Sequence, residues 1–425
     1  MTVAFITLGC KVNEYETQVM RQEFEKSGFA AVGEHEHADV YVINTCCVTA
    51  ESARKSRQLA RRARRQNTGA VIVLCGCLPQ SDAGNTKLPE ADIVAGNGNK
   101  SGVAALALEF ISNKSISLKK TYDLEIFEQT GLEEQLGRTR AFLKIEDGCD
   151  NFCAYCIIPY VRGRVRCKSK GAAVSEARKL IKNGAKEIIL TGIHLASYSS
   201  EGINLAGLVS EINDIPGEFR IRLSSLEPTF ITAENVEILK AAVKLCPHFH
   251  LSLQSGCNET LKRMNRKYGT ARFFEAVAML RESFGNAAVT TDIMTGFPGE
   301  TGEEFKKSAE FFDLCAFAQA HIFTYSKRPG TAAEKMPEQI AEDEKTKRSR
   351  EFFDIARKHR AEFFEKNKNR ILNVLFEQQK KGFYEGFSEN YVPIRVESDE
   401  NITGSIKKTQ IVKCFEDYCE GIIIE

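Results

Sequence analysis

The chain has 425 residues, and 58 Lys and Arg stand against 57 Asp and Glu for a formal net charge of +1. That length exceeds one ordinary core and predicts two or three domains, while the balanced charge points to no class of partner and leaves local patches open. Fourteen cysteines, with no signal peptide and no apolar run long enough to span a bilayer, argue against a secreted disulfide scaffold or a membrane partner and predict a reducing, cytoplasmic setting.

Up to about Ile111, short apolar runs alternate with amphipathic stretches: VAFIT, a helix from Glu14 to Lys26, VYVIN, a basic helix, then VIVLCG. This pattern predicts a small doubly wound α/β domain. Cys10 follows VAFITLG, Cys46 follows VYVINT and Cys77 follows VIVLCG. Ligands of open α/β sheets bind at the carboxyl ends of strands, so these three cysteines are expected to converge on a cluster. Cys47 and Cys75 compete with their neighbours; Cys46 and Cys77 are preferred because they lie nearer the turn, whereas Cys75 sits inside the apolar run. Cys47, Cys75, Cys246, Cys315, Cys414 and Cys419 read as small packing residues.

The basic helix, ARKSRQLARRARRQN, carries Arg54, Lys55, Arg57, Arg61, Arg62, Arg64 and Arg65 with almost no compensating acid. These side chains are expected to spread around much of the helix, as a solvated face does. Because the helix begins just beyond Cys46, the preferred reading is contact with a phosphate backbone, with Arg54, Arg57, Arg61 and Arg65 as candidates.

Residues 112–138 are polar and weakly patterned, a linker or short hairpin. Six strand candidates follow, AFLKIED, KEIILTG, FRIRLSS, HFHLSLQ, AVTTDIM and QAHIFTY, with helical patterns near Ser175, Leu205, Ala233, Arg272 and Glu303. Six βα units predict an open (β/α)6 partial TIM barrel, with its site at the carboxyl ends of the strands. There, after the first strand, lies GCDNFCAYC. Its Cys149, Cys153 and Cys156 are spaced C-x3-C-x2-C; thiolates in such number favour soft metals or an iron–sulfur cluster, and a cubane held by cysteine at three irons would keep the fourth open. A zinc site wants a fourth protein ligand, and no Cys or His lies at finger spacing.

Candidate cofactor contacts at the strand ends are Thr191 and Gly192, Ser224, Ser225 and Glu227, Gln254 and Ser255, and Asp292 and Gly296. Glu227 and Asp292 read equally well as helix caps. His194, His248 and His250 read as satisfied or surface histidines before metal ligands.

Past Pro337 a charged helix from about Glu338 to Lys368 presents Ile340, Phe352, Phe353, Ile355, Ala356, Phe363 and Phe364 for packing on the barrel. From about Asn369, ILNVLFEQ, GFYEGF, YVPIRVE, GSIKKTQIVKCF and CEGIIIE predict a small β-barrel of the oligonucleotide-binding kind. Phe383, Tyr384, Phe387 and Tyr391 alternate with Lys380, Lys381, Arg395, Lys407 and Lys408, a pattern of stacking platforms beside cations, with about half of the aromatics in the core. Lys381 and Lys407 are the candidates there for RNA contact.

The C-x3-C-x2-C loop resembles that of the radical S-adenosylmethionine superfamily. TLGCKVN, INTCCVT, GCLPQ, GCDNFCAYCIIPYVRGRVR, LSLQSG, MNRKY, TDIMTGFPGET and YSKRPGTAA together resemble its methylthiotransferase family over essentially the whole chain. The resemblance implies two [4Fe-4S] clusters, one on Cys149, Cys153 and Cys156 and an auxiliary one on Cys10, Cys46 and Cys77. It also implies S-adenosylmethionine as cofactor and a C-terminal TRAM domain that holds RNA.

The implied boundaries are 1–111, a linker at 112–138, the radical core with its bridging helix at 139–368, and TRAM at 369–425. The implied reaction places a methylthio group on carbon 2 of a modified adenosine at position 37 of a tRNA anticodon loop, with an electron-donor protein as partner and the sulfur donor open. TLGCKVN and LQSG resemble the branch acting on N6-threonylcarbamoyladenosine. Isopentenyladenosine, a ribosomal-protein aspartate, and a non-catalytic iron–sulfur RNA-binding protein are the alternatives.

Overall fold

A computed structural model describes residues 1–81, 88–113, 123–133 and 139–424. Much of the expected linker at 112–138 therefore lies outside the described residues. Its described part, 123–133, carries no strand, yet Phe127 and Leu132 are buried.

The N-terminal sheet has five strands, all parallel, in the order Ala30–Val32, Thr2–Thr7, Val40–Thr45, Val71–Gly76, Ile93–Ala95. Its central strand Val40–Thr45 is buried throughout, as expected where helices cover both faces. Met20 and Phe24 of helix Lys11–Lys26 pack on one face with Val3, Val42 and Val73; Ala60 and Ala63 of helix Ala50–Gln66 pack on the other with Ala4, Ile43 and Leu74. Phe24 is wholly buried and meets Phe5 and Phe29 edge-on, a burial that contributes about 1.5–3 kcal/mol. The two edge strands, three residues each, are too short to show a period in the sequence.

Helix Lys11–Lys26 belongs to two cores. Tyr15 and Val19 face away from the sheet, into the main cluster of the central domain, and the helix packs beside strand Arg140–Lys144. Six parallel strands make this domain. Arg140–Lys144, Glu187–Thr191 and Arg220–Leu223 form one sheet, and His248–Gln254, Ala288–Thr295 and Gln319–Thr324 form a second. Isolated bridges Ile221–Leu245 and Leu226–Leu251 join them into an arc. Among the described residues no pairing links the first strand to the last, so the arc stays open on the side where the N-terminal domain docks.

The long helix runs Glu342–Asn367, so Ile340 lies before it. Phe352 packs edge-on against Phe305 and Phe312, but Phe353 is 49% exposed, and Lys345 and Arg348 share the buried face instead. Arg348 is accommodated there by Glu300, at 2.8 Å.

The C-terminal strands Ile371–Lys380, Phe383–Ser388, Pro393–Val396, Cys419–Ile423 and Ile406–Cys414 close into a barrel in that order. It docks on the amino-terminal ends of the arc, where Arg220 donates to the carbonyls of Asn373 and Phe387 and Arg222 to that of Glu389, each at 3.0 Å. The expected division of the aromatics between core and surface falls between Tyr384 and the stacked pair Phe387 and Tyr391. Tyr384 lies in the barrel's own core, while Phe387 and Tyr391 stack on each other and Tyr391 stacks on His248, with centroids 4.7 and 4.5 Å apart.

Candidate active site

The three N-terminal strands deliver their cysteines to one edge. Gly9 sits at φ 111° and Gly76 at φ 101°, a region that favours glycine. A β-carbon on Gly9 would lie 3.1 Å from that of Cys46, and one on Gly76 would lie 2.7 Å from Asn44 Oδ1. These close approaches let Cys10, Cys46 and Cys77 come within electrostatic reach of one another. Cys75 points the other way, toward Met20 and the Ile43 carbonyl in the sheet core. Cys47 is fully buried with Cys77, Leu78, Ile157 and Val161.

In the central domain Gly148, at φ 88°, opens the second cysteine loop; a β-carbon there would lie 2.0 Å from the Arg164 carbonyl. Burial pushes the thiols of Cys149 and Cys156 up to about 11 and about 12, with neighbouring cysteines adding to the effect. Arg266 Nη1 donates to Cys153 Sγ at 3.3 Å, and Arg266 Nη2 pairs with Glu227 at 2.7 Å.

The two cysteine sites are neighbours. Ile157, directly after Cys156, and Val161, one turn of helix further on, pack on Cys77, and Asn97 Nδ2 bonds the Val161 carbonyl at 2.7 Å while lying 3.6 Å from Cys77 Sγ. Under this junction Arg162 is wholly buried. It pairs with Glu16 at 2.8 Å and Asp147 at 3.0 Å and donates to Asn13 Oδ1 at 2.7 Å, while Lys144 pairs with the same two carboxylates at 2.7 and 2.6 Å. Two cations and two carboxylates thus join the N-terminal helix to the strand and loop that carry Cys149.

A cavity of about 1180 Å³ opens beside Cys10 and runs into the arc, with Thr191, Gly192, Ser224, Ser225, His250 and Asp292 on its wall. Thr191 ends its strand, Gly192 follows it, and Ser224 lies just past Leu223. Asp292 departs from the expectation of a strand end, standing inside strand Ala288–Thr295. Glu227 stands at the N-cap of the 3-10 turn Pro228–Phe230, but its carboxylate makes no capping bond and is engaged by His194, Arg266 and Asn151, while Asp292 pairs with His250 at 3.1 Å. Gln254 ends its strand at φ 66°, a costly conformation for a residue with a side chain.

Residues 143–312 match the model of the Radical SAM superfamily, and residues 2–96 match that of the Uncharacterized protein family UPF0004. The "Threonylcarbamoyladenosine tRNA methylthiotransferase MtaB" of Bacillus subtilis (strain 168) is 37% identical over 431 residues, covering 99% of this chain and 96% of that protein. The chain belongs to the methylthiotransferase family of radical S-adenosylmethionine enzymes. The protein of the same name from Aquifex aeolicus (strain VF5) is 36% identical over 95% of this chain and 98% of its own length. The "tRNA-2-methylthio-N(6)-dimethylallyladenosine synthase" of Pelotomaculum thermopropionicum (strain DSM 13744 / JCM 10971 / SI) is 33% identical over 98% of this chain and 96% of its own length. In fold the chain is similar to the radical S-adenosylmethionine methyltransferase TsrM from Kitasatospora setae, with a TM-score of 0.59 at 16% identity over 78% of this chain and 77% of that one.

Methylthiotransferases of this family bind S-adenosylmethionine and a [4Fe-4S] cluster and carry a second cluster. The donor sets fit those groups. Thiolates around one tetrahedral zinc stand about 3.8 Å apart. Among the described residues the only three His, Cys, Asp or Glu ligand atoms within 4.8 Å of one another belong to His250, Asp292 and His321, so both cysteine triads are wider than a zinc set. Ser224 Oγ and Gln254 Oε1 are buried without a hydrogen-bond partner, as polar groups awaiting a cofactor are.

The site of the methylthiotransferase also holds buried charged residues that the sequence reading did not single out. Arg266 was visible only inside MNRKY, and Arg162 only inside PYVRGRVR. Glu146 carried no signal; burial, with Asp147 beside it, pushes its carboxyl up to about 8.

On the basic helix Arg54, Arg57, Arg61 and Arg65 line one shallow groove with Gln58, while Arg62 and Arg64 turn elsewhere, to His35 and Asp92. Compensating acids are present as well, since Glu51, Glu90 and Asp92 pair with Arg54, Arg61 and Arg64. Lys381 and Lys407 lie on the C-terminal barrel, Lys381 exposed and Lys407 half-buried. No helix among the described residues is long and apolar enough to cross a membrane.

Proposed function

We propose that this methylthiotransferase acts on tRNA, converting N6-threonylcarbamoyladenosine at position 37 to its 2-methylthio derivative. The observation that carries the reading is that Cys10 lies on the wall of the same cavity as Thr191, Gly192, Ser224 and Asp292, with the Cys149 loop packed against the Cys77 site. The near full-length similarity to proteins named for threonylcarbamoyladenosine supports the substrate.

In this reading Cys149, Cys153 and Cys156 hold the radical cluster and Cys10, Cys46 and Cys77 the auxiliary one. When bound, these groups supply what no amino-acid acid or base provides, removal of hydrogen from an inert C–H and delivery of sulfur to the carbon left behind. The chain's own part is positioning. Thr191, Gly192, Ser224, Glu227, Gln254 and Asp292 orient S-adenosylmethionine at the arc; Arg266 holds Glu227 in place and donates to Cys153. Helix Lys11–Lys26, clamped to the arc by Arg162, fixes the distance between the two sites. Carbon 2 of adenine lies on the Watson–Crick edge, so the target base enters the cavity unpaired, as a loop nucleotide can.

The domain limits follow as 1–111, 112–138, 139–368 and 369–425, the last a TRAM barrel that holds RNA through Lys381 and Lys407. Arg54, Arg57, Arg61 and Arg65 contact the phosphate backbone. Replacing all four by Gln is expected to lower the slope of log K against log salt by about 3 for an anticodon stem-loop, at about 0.7–0.9 per phosphate contact. An unchanged slope removes the helix from the RNA interface.

The substrate is tested in cells lacking this protein, by mass spectrometry of tRNA nucleosides. Loss of 2-methylthio-N6-threonylcarbamoyladenosine is expected. Loss of the dimethylallyl analogue instead moves this chain to the other named group of relatives, and an unchanged profile rejects both.

A further inference from the structure

Five side chains with formal charge line the cavity beside Cys10: Lys11, Arg140, Arg222, Asp292 and Glu377. Four are committed to partners. Arg140 pairs with Glu377 at 2.8 Å, Arg222 with Glu187 through two nitrogens at 2.9 and 3.0 Å, and Asp292 with His250 at 3.1 Å. Lys11 makes no hydrogen bond or ion pair with any described residue.

Its place is an unfavourable one for a cation that serves only the fold. Lys11 is the first residue of helix Lys11–Lys26, where the peptide dipoles present their positive end, and two guanidinium groups share the cavity wall with it. Lys11 is exposed on the cavity wall, and Glu187, the carboxylate within its electrostatic reach, is already engaged by Arg220 and Arg222, so among the described residues its ammonium is left to water. On the same wall, buried His248 keeps Nδ1 without a partner while its Nε2 contacts Thr290 Oγ1 at 3.2 Å. The cavity therefore offers an uncommitted cation next to Cys10 in the chain and, on the same lining, an uncommitted neutral polar atom.

We propose that Lys11 is a specificity-determining residue, whose ammonium receives the carboxylate of the threonyl group on the N6 substituent of the target adenosine, with His248 Nδ1 available to that substituent's neutral polar groups. This inference rests on the threonylcarbamoyladenosine reading. The chemistry separates the two kinds of substrate for which the relatives are named. A threonylcarbamoyl group carries one carboxylate and neutralises Lys11 as the cavity closes. A dimethylallyl group is a hydrocarbon, and burying it against an unpaired ammonium removes water from the charge with no compensating bond. A backbone phosphate or the cofactor's own carboxylate is a further source of anion, and the experiment distinguishes them.

The test uses the full-length, cluster-loaded protein and three anticodon stem-loop RNAs carrying at position 37 threonylcarbamoyladenosine, its carboxyl methyl ester, or dimethylallyladenosine. Binding is read by fluorescence anisotropy. The wild type is expected to bind the acid about ten- to a hundredfold more tightly than the ester, the span of a hydrogen bond to a charged group. Lys11→Gln is expected to bind acid and ester within twofold of each other, and Lys11→Arg to keep much of the preference.

Equal binding of acid and ester by a wild type that methylthiolates the acid RNA overturns the inference and leaves the substrate reading intact, the anion being a phosphate or the cofactor. A preference kept in Lys11→Gln overturns it too, and assigns the carboxylate to another cation. Wild type that methylthiolates only the dimethylallyl RNA removes the substrate reading itself, and the inference with it. Should Lys11→Gln fail to load iron, Lys11→Met, which keeps the aliphatic stem without the charge, is read in its place by the same acid-against-ester comparison.

Discussion

Replacing Cys10, Cys46 and Cys77 together by alanine lowers the yield of methylthiolated nucleoside by more than about a hundredfold, beyond what the loss of an outer-shell partner costs, while 5′-deoxyadenosine still forms from S-adenosylmethionine. The split follows from where the residues stand. The N-terminal triad is carried by its own parallel sheet, with cores on both faces that do not include Cys149, Cys153 or Cys156. Removing three thiols at the edge of that sheet leaves the Cys149 loop, Arg266 and the strand-end polar groups in position. Replacing Cys149, Cys153 and Cys156 instead is expected to abolish both outputs. Product and 5′-deoxyadenosine are counted in one assay by liquid chromatography and mass spectrometry. If the N-terminal variant keeps its product yield, that triad has no part in the reaction.

The second large effect falls on stability. Arg162→Met leaves Glu16 and Asp147 buried with Lys144 as their main cation, at a cost of about 3–5 kcal/mol for a broken buried pair. Amide exchange across helix Lys11–Lys26 should then speed by about a hundred- to a thousandfold, because the quartet holds that helix to the arc. Burial pushes both carboxyls up, but Arg162 and Lys144 outweigh it and hold both below the usual carboxylate range. Groups with a depressed folded pKa stabilise fully above their unfolded value, near 4, and lose that contribution as pH falls through the folded one. The difference between wild type and variant should therefore be complete at pH 7 and shrink below about pH 4. Equal exchange rates at pH 7 would show that the quartet does not hold the domains together.

Much of this architecture was legible from local pattern. VYVIN, KEIILTG and AVTTDIM are apolar runs bounded by turn residues, and each became a parallel strand, because strands covered on both faces need no alternation. Cys149, Cys153 and Cys156 lie within eight residues and could be read as one loop. Cys10, Cys46 and Cys77 needed one further rule, that strand ends share an edge.

The parts that were not legible are contacts between distant segments. Arg162 meets partners 146 and 149 residues away, Glu16 and Asn13, and nothing local marks either as buried. Tyr391 and Phe387 looked like RNA platforms because their composition is the same whether they stack on a base or on His248. The face of the bridging helix was misjudged at Phe353 because Arg348, paired with Glu300, occupies a position that periodicity reserves for an apolar residue.

The central claim is that two separate cysteine triads each hold a cluster beside one cavity. Iron analysis of anaerobically purified protein tests it most directly. About eight irons per chain in the wild type, and about four in each of the two triple-alanine variants, is the predicted result for two cubanes. About four irons in the wild type, unchanged when Cys10, Cys46 and Cys77 are replaced, would contradict it.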